Sequence, residues 1–363
     1  MTPGLASRTA VIIIVSMRAS VKGRTDPSRA PQDTAASESA DEALLQSLTA
    51  VVLNWEMPDL TIRCVESLLE DGVPADRIVV VDNGSKDHSY ERFERAIGDC
   101  RLLRLPENVG IARAINAGAR LLDGDDYLIL NNDAFVQSQG SVARLLRAAR
   151  QDGVAIAVPR LLNENLTLQP NVVPLFLFTP LGALVAAAGL GRLIPRRLQP
   201  RLSAYWDHGA SGTVVAASGA VYAIRGAVWR ELGGMSERRW MYSEDIDLCW
   251  RARELGWTMW FEHDATFVHL GSPTLSRHWA DATRAEMIAR SEAAMVREHL
   301  SPSRARLTVL FLGLGSALRT LVFALARHPR AKASRGAARG YLGELRAHEG
   351  RSNGQRAIDA ERP

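Results

Sequence analysis

The sequence predicts an α/β protein built on a mostly parallel sheet with helices on both faces. Three observations predict it. Apolar runs such as "LTAVVLN" and "RIVVVDNGS" are too continuous to leave one face wet, stretches of helical periodicity separate them, and Asn and Asp collect where the runs stop. The 363 residues, 47% apolar and 23% charged, suffice for one large domain with appendages.

Residues 1–47 read as a disordered leader. They contain "AVIIIVSM", a run shorter than a membrane span and without a convincing cleavage site, then a stretch rich in Ser, Ala, Pro and charge. From Leu48 the pattern alternates. "LTAVVLN" is a strand. "PDLTIRCVESLLEDG" is a helix with Leu60, Cys64, Leu68 and Leu69 on one face, Asp59 as cap and Gly72 as stop. "RIVVVDNGS" is the second strand, "YERFERAI" a helix, "CRLLRL" a strand, "VGIARAINAGARLL" a helix and "DYLILNN" the next strand. "SVARLLRAARQDG" is a helix capped by Ser141 and stopped by Gly153. Further on, "YSEDIDLCWRARELG" reads as a helix and "TMWFEHDATFVHLG" as two short strands.

In such sheets ligands bind beyond the carboxyl ends of the strands. Those ends carry Asn54, then Asp82 and Asn83, then Asn131, Asn132 and Asp133. One such cluster would be an ordinary turn; three on one rim make a polar crescent for a small molecule. Asp133 suits a hard divalent cation, Mg²⁺ or Mn²⁺. Asp82 can accept a hydrogen bond from a nucleobase imide. The acids Glu244, Asp245 and Asp247 exceed what capping one helix requires, so a general base is available there. His269, at a strand end, is a better ligand candidate than His263. No glycine-rich phosphate loop follows the first strand, which argues against dinucleotide oxidoreductases, P-loop enzymes and nucleotidyltransferases. Three scattered cysteines, with no CxxC pair, indicate neither disulfides nor a thiolate metal site.

The order of "VVLNWEMPDLTIRCVESLL", "IVVVDNGSKD", "PENVGIARAINAGARLLDGDDYLILNNDA", "SGAVYAIRGAVWRELGGM" and "YSEDIDLCWRARELGW" followed by a histidine resembles the family 2 inverting glycosyltransferases, in particular their rhamnosyltransferase-like branch. The resemblance spans about Thr49 to Ser272. It implies a GT-A fold and a nucleotide-diphosphate sugar as donor, dTDP-rhamnose favoured over a UDP-sugar. It implies that Asp82 holds the base, that Asp133 is the metal carboxylate of a DxD-like motif whose first position is Asn131, and that His269 helps hold the metal. Asp245, beside Glu244, would be the base. The matching segments add Asn108, Gly110 and Asn116 to the donor-binding set of Asn54, Asp82, Asn83, Asn131 and Asn132. The domain is expected at 48–300, with a nucleotide-sugar half (48–160), an apolar insertion (161–210) and an acceptor half (211–300). A catalytically silent scaffold would share the cleft, but intact Asp133 and Asp245 argue for turnover.

Residues 171–191 carry no charge yet hold Pro174 and Pro180 and interrupt the domain, so they read as an apolar loop or interfacial helix followed by Arg192, Arg196, Arg197 and Arg201. Residues 301–345 read as membrane-proximal or packing helices and 346–363 as a disordered basic tail. Residues 301–363 hold twelve Lys plus Arg against four Asp plus Glu, while the whole chain is only +4. That local surplus suits anionic head groups rather than nucleic acid. The expected setting is the cytoplasmic face of the inner membrane, with a glycan or polyprenyl-linked acceptor.

Overall fold

Strand β1 (Leu48–Asn54) is buried throughout except for half-buried Leu53, and β2 (Ile78–Asp82) is buried at every position. That is the signature of interior strands covered on both sides. In the computed structural model, which describes residues 39–203, 206–271 and 279–350, with side chains through 347, they pair in parallel from Ala50 opposite Ile78 to Asn54 opposite Asp82. On the outer side of β2 lies β3 (Arg101–Arg104), whose exposed arginines blunt the sheet edge. β4 (Asp126–Asn131) flanks β1 in parallel, Leu53 lying opposite Asn131. The remaining strands are β5 (Ala134–Val136), β6 (Val154–Leu162), β7 (Leu168–Gln169), β8 (Gly212–Val214), β9 (Val221–Arg225) and β10 (Thr258–His269). The sheet order is β3-β2-β1-β4-β9-β6-β10-β5, with β7 beside β6 and β8 beside β10. Along this path only β9 and β5 run against the other strands. The final strand is one element rather than two. A bulge between Glu262 and Thr266 absorbs the polar "HDA" while the pairing with β6 resumes beyond it.

Side-chain alternation distributes the core to both faces. Ala50, Val52, Ile78, Val80, Leu128 and Leu130 face α1 (Pro58–Glu70), α2 (Ser89–Ala96) and α4 (Ser141–Ala149). Val51, Val79, Val81 and Ile129 face α3 (Ile111–Ala119) and the later helices. Two expected caps are corrected. Pro58 opens α1 behind Met57, so Asp59 lies within the first turn and pairs with Arg92; the buried stripe is Thr61, Cys64, Val65 and Leu68, and Leu69 is exposed. Gly140 precedes α4 in a left-handed conformation, and the Ser141 hydroxyl instead donates to Ser138 O (2.6 Å) and accepts from Thr266 N (3.0 Å). That choice ties α4 to β10.

The insertion contains a 3₁₀ turn (Leu175–Phe178) and α5 (Pro180–Ala187). Then follow α6 (Gly226–Leu232), α7 (Glu244–Glu254), α8 (Asp281–His299), α9 (Pro302–Leu325) and α10 (Ala331–Gly350). Asp41–Pro363 forms one unit, to which everything described below belongs. Residues 41–46 are helical and bury Leu44 and Leu45 in the core, so the packed region begins ahead of the expected boundary at 48. The remainder of the expected leader, residues 1–38, and residues 351–363 of the expected tail lie outside the described residues.

Candidate functional site

The register that sets Asn54 opposite Asp82 lets the Asn54 amide donate to Asp82 Oδ1 and to Ser85 Oγ, each at 3.1 Å. Its oxygen accepts from Thr61 Oγ1 (2.8 Å) and Asn132 Nδ2 (3.3 Å). Asn54 is thus fully buried and its hydrogen-bonding capacity is spent organising the rim. Asp82 keeps one buried oxygen, Oδ2, without a partner, and such an atom is costly until a donor reaches it. Asn83 accepts from Val109 N (3.0 Å) and donates to Asn108 Oδ1 (3.1 Å), which also receives Gly110 N (3.0 Å). Gly110 has φ +90° and lies so close to Trp240 O that a Cβ would sit 2.4 Å from it. Only glycine fits both demands. Asn116 is separate from this rim: its amide holds Met235 O and Glu237 Oε1, each at 2.9 Å, anchoring the loop ahead of α7. Thr61 and Ser85 belong to the rim but carried no sequence signal, because a lone hydroxyl is common anywhere.

Beyond Asn131 the chain turns so that buried Asp133 faces the end of β10, where His269 Nε2 lies 3.3 Å from Asp133 Oδ1. Gln169, on β7, determines the chemistry of that pair. Its Nε2 donates to Asn163 Oδ1 (3.1 Å) and to His269 O (3.3 Å), so its oxygen faces His269 Nδ1 at 2.6 Å. An acceptor there places a proton on Nδ1 and leaves Nε2 of the neutral ring as a lone pair. That nitrogen is buried and makes no hydrogen bond. A lone pair and a carboxylate oxygen at this separation attract a cation between them. The donor set, one oxygen and one imidazole nitrogen, fits Mn²⁺ or Mg²⁺ completed by substrate oxygens. Among the described residues no group of three His, Cys, Asp or Glu side chains could hold a metal.

The third part is the start of α7. Tyr242 and Ser243 both have positive φ (69° and 63°), and Ser291 of α8 holds the Tyr242 carbonyl at 2.6 Å. Two consecutive non-glycine residues in that region are strained and persist only where surroundings impose them. They aim Glu244 and Asp245 at the strand ends. Asp245 Oδ2 accepts from Gly219 N (2.6 Å) and Oδ1 from Ile246 N (2.7 Å). The next residue, Ala220, accepts Asn131 N (2.9 Å) at the end of β4. Dense protein around Asp245, itself partly open to solvent, raises its carboxyl above the usual range, while the two amides oppose the rise. Burial and the Asp245 charge raise Glu244 too, and its Oε2 has no partner. Two amide donors favour the charged form of Asp245, a stabilisation that Glu244 Oε2 lacks. Burial also pushes Glu292 of α8 up to about 7, and Tyr341 of α10 donates to it. Neither was visible in sequence, since both lie well beyond the motif.

Asp247, the third acid, is scaffold. It receives Arg239 (2.7 Å), Arg251 (2.9 Å) and His299 Nε2 (2.9 Å), while His299 Nδ1 faces Glu254 at 2.9 Å. Burial would raise Asp247, but the His299 hydrogen bond and the two guanidinium charges outweigh it and hold it below the usual range. Burial would lower His299, yet its bonds to Asp247 and Glu254 prevail and raise it above 6.5. A raised histidine contributes stability fully below about pH 6.5 and loses it as pH climbs through the folded value. The difference in melting temperature between wild type and His299→Gln is therefore expected to be full at pH 6 and to close toward pH 9. A gap independent of pH would show that the cluster does not hold an imidazolium. Beside the rim, Trp55 stacks on Trp279 (centroids 5.9 Å), and Trp240 meets Trp279 edge-on (6.2 Å), giving an aromatic wall.

The family model "Glycosyl transferase family 2" matches residues 50–213. Two curated relatives, from Mycobacterium tuberculosis strains CDC 1551 / Oshkosh and H37Rv, are each an "N-acetylglucosaminyl-diphospho-decaprenol L-rhamnosyltransferase" and are 26% identical over 215 residues. The match covers 53% of this chain and 66% of those relatives, just under two thirds of their length. Among solved structures, the mannosyltransferase PcManGT from Pyrobaculum calidifontis, in complex with GDP-Man and Mn²⁺, superposes with a TM-score of 0.53 at 16% identity. That superposition covers 88% of this chain and 97% of the other, a likeness of fold. Strand order and these matches agree: residues 50–213 are similar to the family 2 glycosyl transferases, and the fold is GT-A.

Proposed function

We propose that this chain is a metal-dependent, inverting sugar transferase that moves a hexose, rhamnose favoured, from a nucleotide-diphosphate donor to a hydroxyl of a glycan or lipid-linked acceptor. The acceptor would belong to a bacterial surface polysaccharide or glycolipid. The likeness to two L-rhamnosyltransferases supports rhamnose, and dTDP-rhamnose is favoured ahead of a UDP-sugar. One observation carries the reading. Adjacent residues Gly219 and Ala220 bind Asp245 and the amide of Asn131, so this half-buried acid stands beside the strand end that leads into Asp133.

In this reading the orphaned Asp82 Oδ2 accepts the imide N–H of the base, and Asn83, Asn108 and Gly110 shape the floor beneath the nucleoside. Asp133 and His269 would hold a divalent cation, which would supply positive charge for the departing diphosphate. The acceptor oxygen forms its bond to the anomeric carbon from the opposite face. The bond to the diphosphate oxygen breaks with its electron pair, and Asp245 takes the hydroxyl proton. A single in-line displacement inverts the centre. A carboxyl raised by its dense surroundings is a stronger base than an exposed aspartate, and two amides favour its charged form.

Thermal shifts with UDP, dTDP and GDP, each with and without Mn²⁺, test the reading. One nucleotide should stabilise the protein only with metal, by about 2.7 kcal/mol at a hundredfold excess over Kd. Asp133→Ala should abolish that gain. If no nucleotide shifts the transition, the cleft is not a donor site.

A further inference from the structure

Helix α9 is built the wrong way round for a helix that only stabilises a soluble core. Its buried side is Ala305, Thr308, Val309, Gly313 and Ser316. Its outward side is Leu307, Leu314, Leu318, Leu321 and Leu325, spaced seven, four, three and four residues apart and therefore one stripe. Exposure along it reaches 58% at Leu321 and 78% at Leu325. Only 28% of the most apolar window of α9 is buried. The insertion helix α5 packs on α9, with Gly315 so close to Ala187 that a Cβ would sit 2.8 Å from it, and α5 adds exposed Leu181 and Leu184. Two segments more than a hundred residues apart in sequence thus join in one apolar face. Isolated exposed leucines are ordinary, but a continuous field of them marks an interaction surface.

Charge identifies the occupant. Residues 171–203 contain four arginines and residues 301–335 seven Lys or Arg, and neither stretch contains an Asp or Glu. Arg196, Arg197, Arg201, Arg327 and Arg330 are exposed and form no ion pair among the described residues. A second copy docking face to face would bring these arginines against their own images. An anionic lipid surface offers the opposite charge around an apolar interior. Crossing the bilayer is disfavoured by α10, which packs along α9 and would carry Arg335, Arg339 and Glu344 into hydrocarbon.

We propose that the α5–α9 face lies on an anionic bilayer, inserting its leucines to the acyl boundary. This deepens the functional reading above and rests on it, since it makes the acceptor a membrane-borne lipid-linked glycan. The face connects to the active centre through the insertion. Val172 bridges to Ala217, Asn171 O holds Ser218 N (2.7 Å), and Phe178 packs against Trp250 of α7 (6.5 Å between rings). Lipid contact is thereby anchored beside Gly219 and Asp245.

Flotation of the full chain with vesicles tests this. Wild type should float with phosphatidylcholine–phosphatidylglycerol vesicles, and float at least tenfold less with phosphatidylcholine alone. Leu318→Glu/Leu321→Glu, at exposed positions, should lose at least tenfold in partitioning. Arg196→Glu/Arg197→Glu should lose about tenfold or more. Both variants should keep the wild-type melting temperature and the metal-dependent nucleotide shift. Absence of flotation, or variants that float as well as wild type, would overturn the proposal. So would a dimer in light scattering that the leucine changes dissociate with no vesicle binding. A failed nucleotide shift in wild type would instead sink the underlying transferase reading, whatever the vesicles do.

Discussion

Asp245→Asn is expected to lower glycosyl transfer by about 10²- to 10⁴-fold, the usual worth of a positioned general base. The metal-dependent thermal shift with nucleotide should survive, because Asp82, Asp133 and His269 sit at strand ends and not on α7. The residual activity should also lose its pH dependence. As the proposed base, Asp245 would work deprotonated, and its dense surroundings raise its carboxyl, so the wild-type rate should fall on acidification through a value above the ordinary aspartate range. Asparagine keeps only one acceptor for the amides of Gly219 and Ile246, so a stability loss of about 1 kcal/mol should accompany the change. Binding and turnover must therefore be measured separately. Transfer within threefold of wild type would remove Asp245 from the mechanism and favour a scaffold that retains the cleft.

Asp247→Ala is expected to cost about 3 kcal/mol, the lower end of the range for breaking a buried ion pair from one side. Arg239, only 7% exposed, would lose its shortest partner and keep Glu298 at 2.9 Å. Arg251 and His299 would lose the same carboxylate, although both retain other acceptors. Denaturant titration measures the loss. Asp247→Asn should cost less, since it still accepts one hydrogen bond. A change below about 1 kcal/mol would mean that the cluster is relaxed by water and does not brace α7. The role matters for the proposed chemistry because α7 carries Asp245 two residues earlier, and a helix that shifts takes the proposed base with it.

The rim was legible because strand ends are local events. Continuous apolar runs announce β1, β2 and β4, and each must stop in residues that tolerate a turn, so Asn54, Asp82 and Asn131 to Asp133 could be placed without a structure. The same local logic misassigned Asp59 and Ser141 as caps. Ser and Asp look alike at a helix start whether they cap it or bond elsewhere, and here Arg92 and Thr266 are the partners. The β10 bulge was read as a break for a similar reason: "HDA" looks like a turn, and only pairing with β6 on both sides reveals continuity.

The amino-acid sequence by itself determined the class of fold, the strand ends that form the rim and the acidic start of α7, because these depend on neighbours a few residues away. Tertiary structure alone decided which of those polar groups are spent and which are left over. Asn54 and Asn116 are consumed by hydrogen bonds, Asp247 by three cations, and Asp82 Oδ2 and His269 Nε2 remain unmatched. Gln169 reaches His269 across a hundred residues, and α5 meets α9 across a similar distance. Hydrogen-bond satisfaction and burial are sums over everything that surrounds an atom in space, and the linear order of residues does not contain that sum.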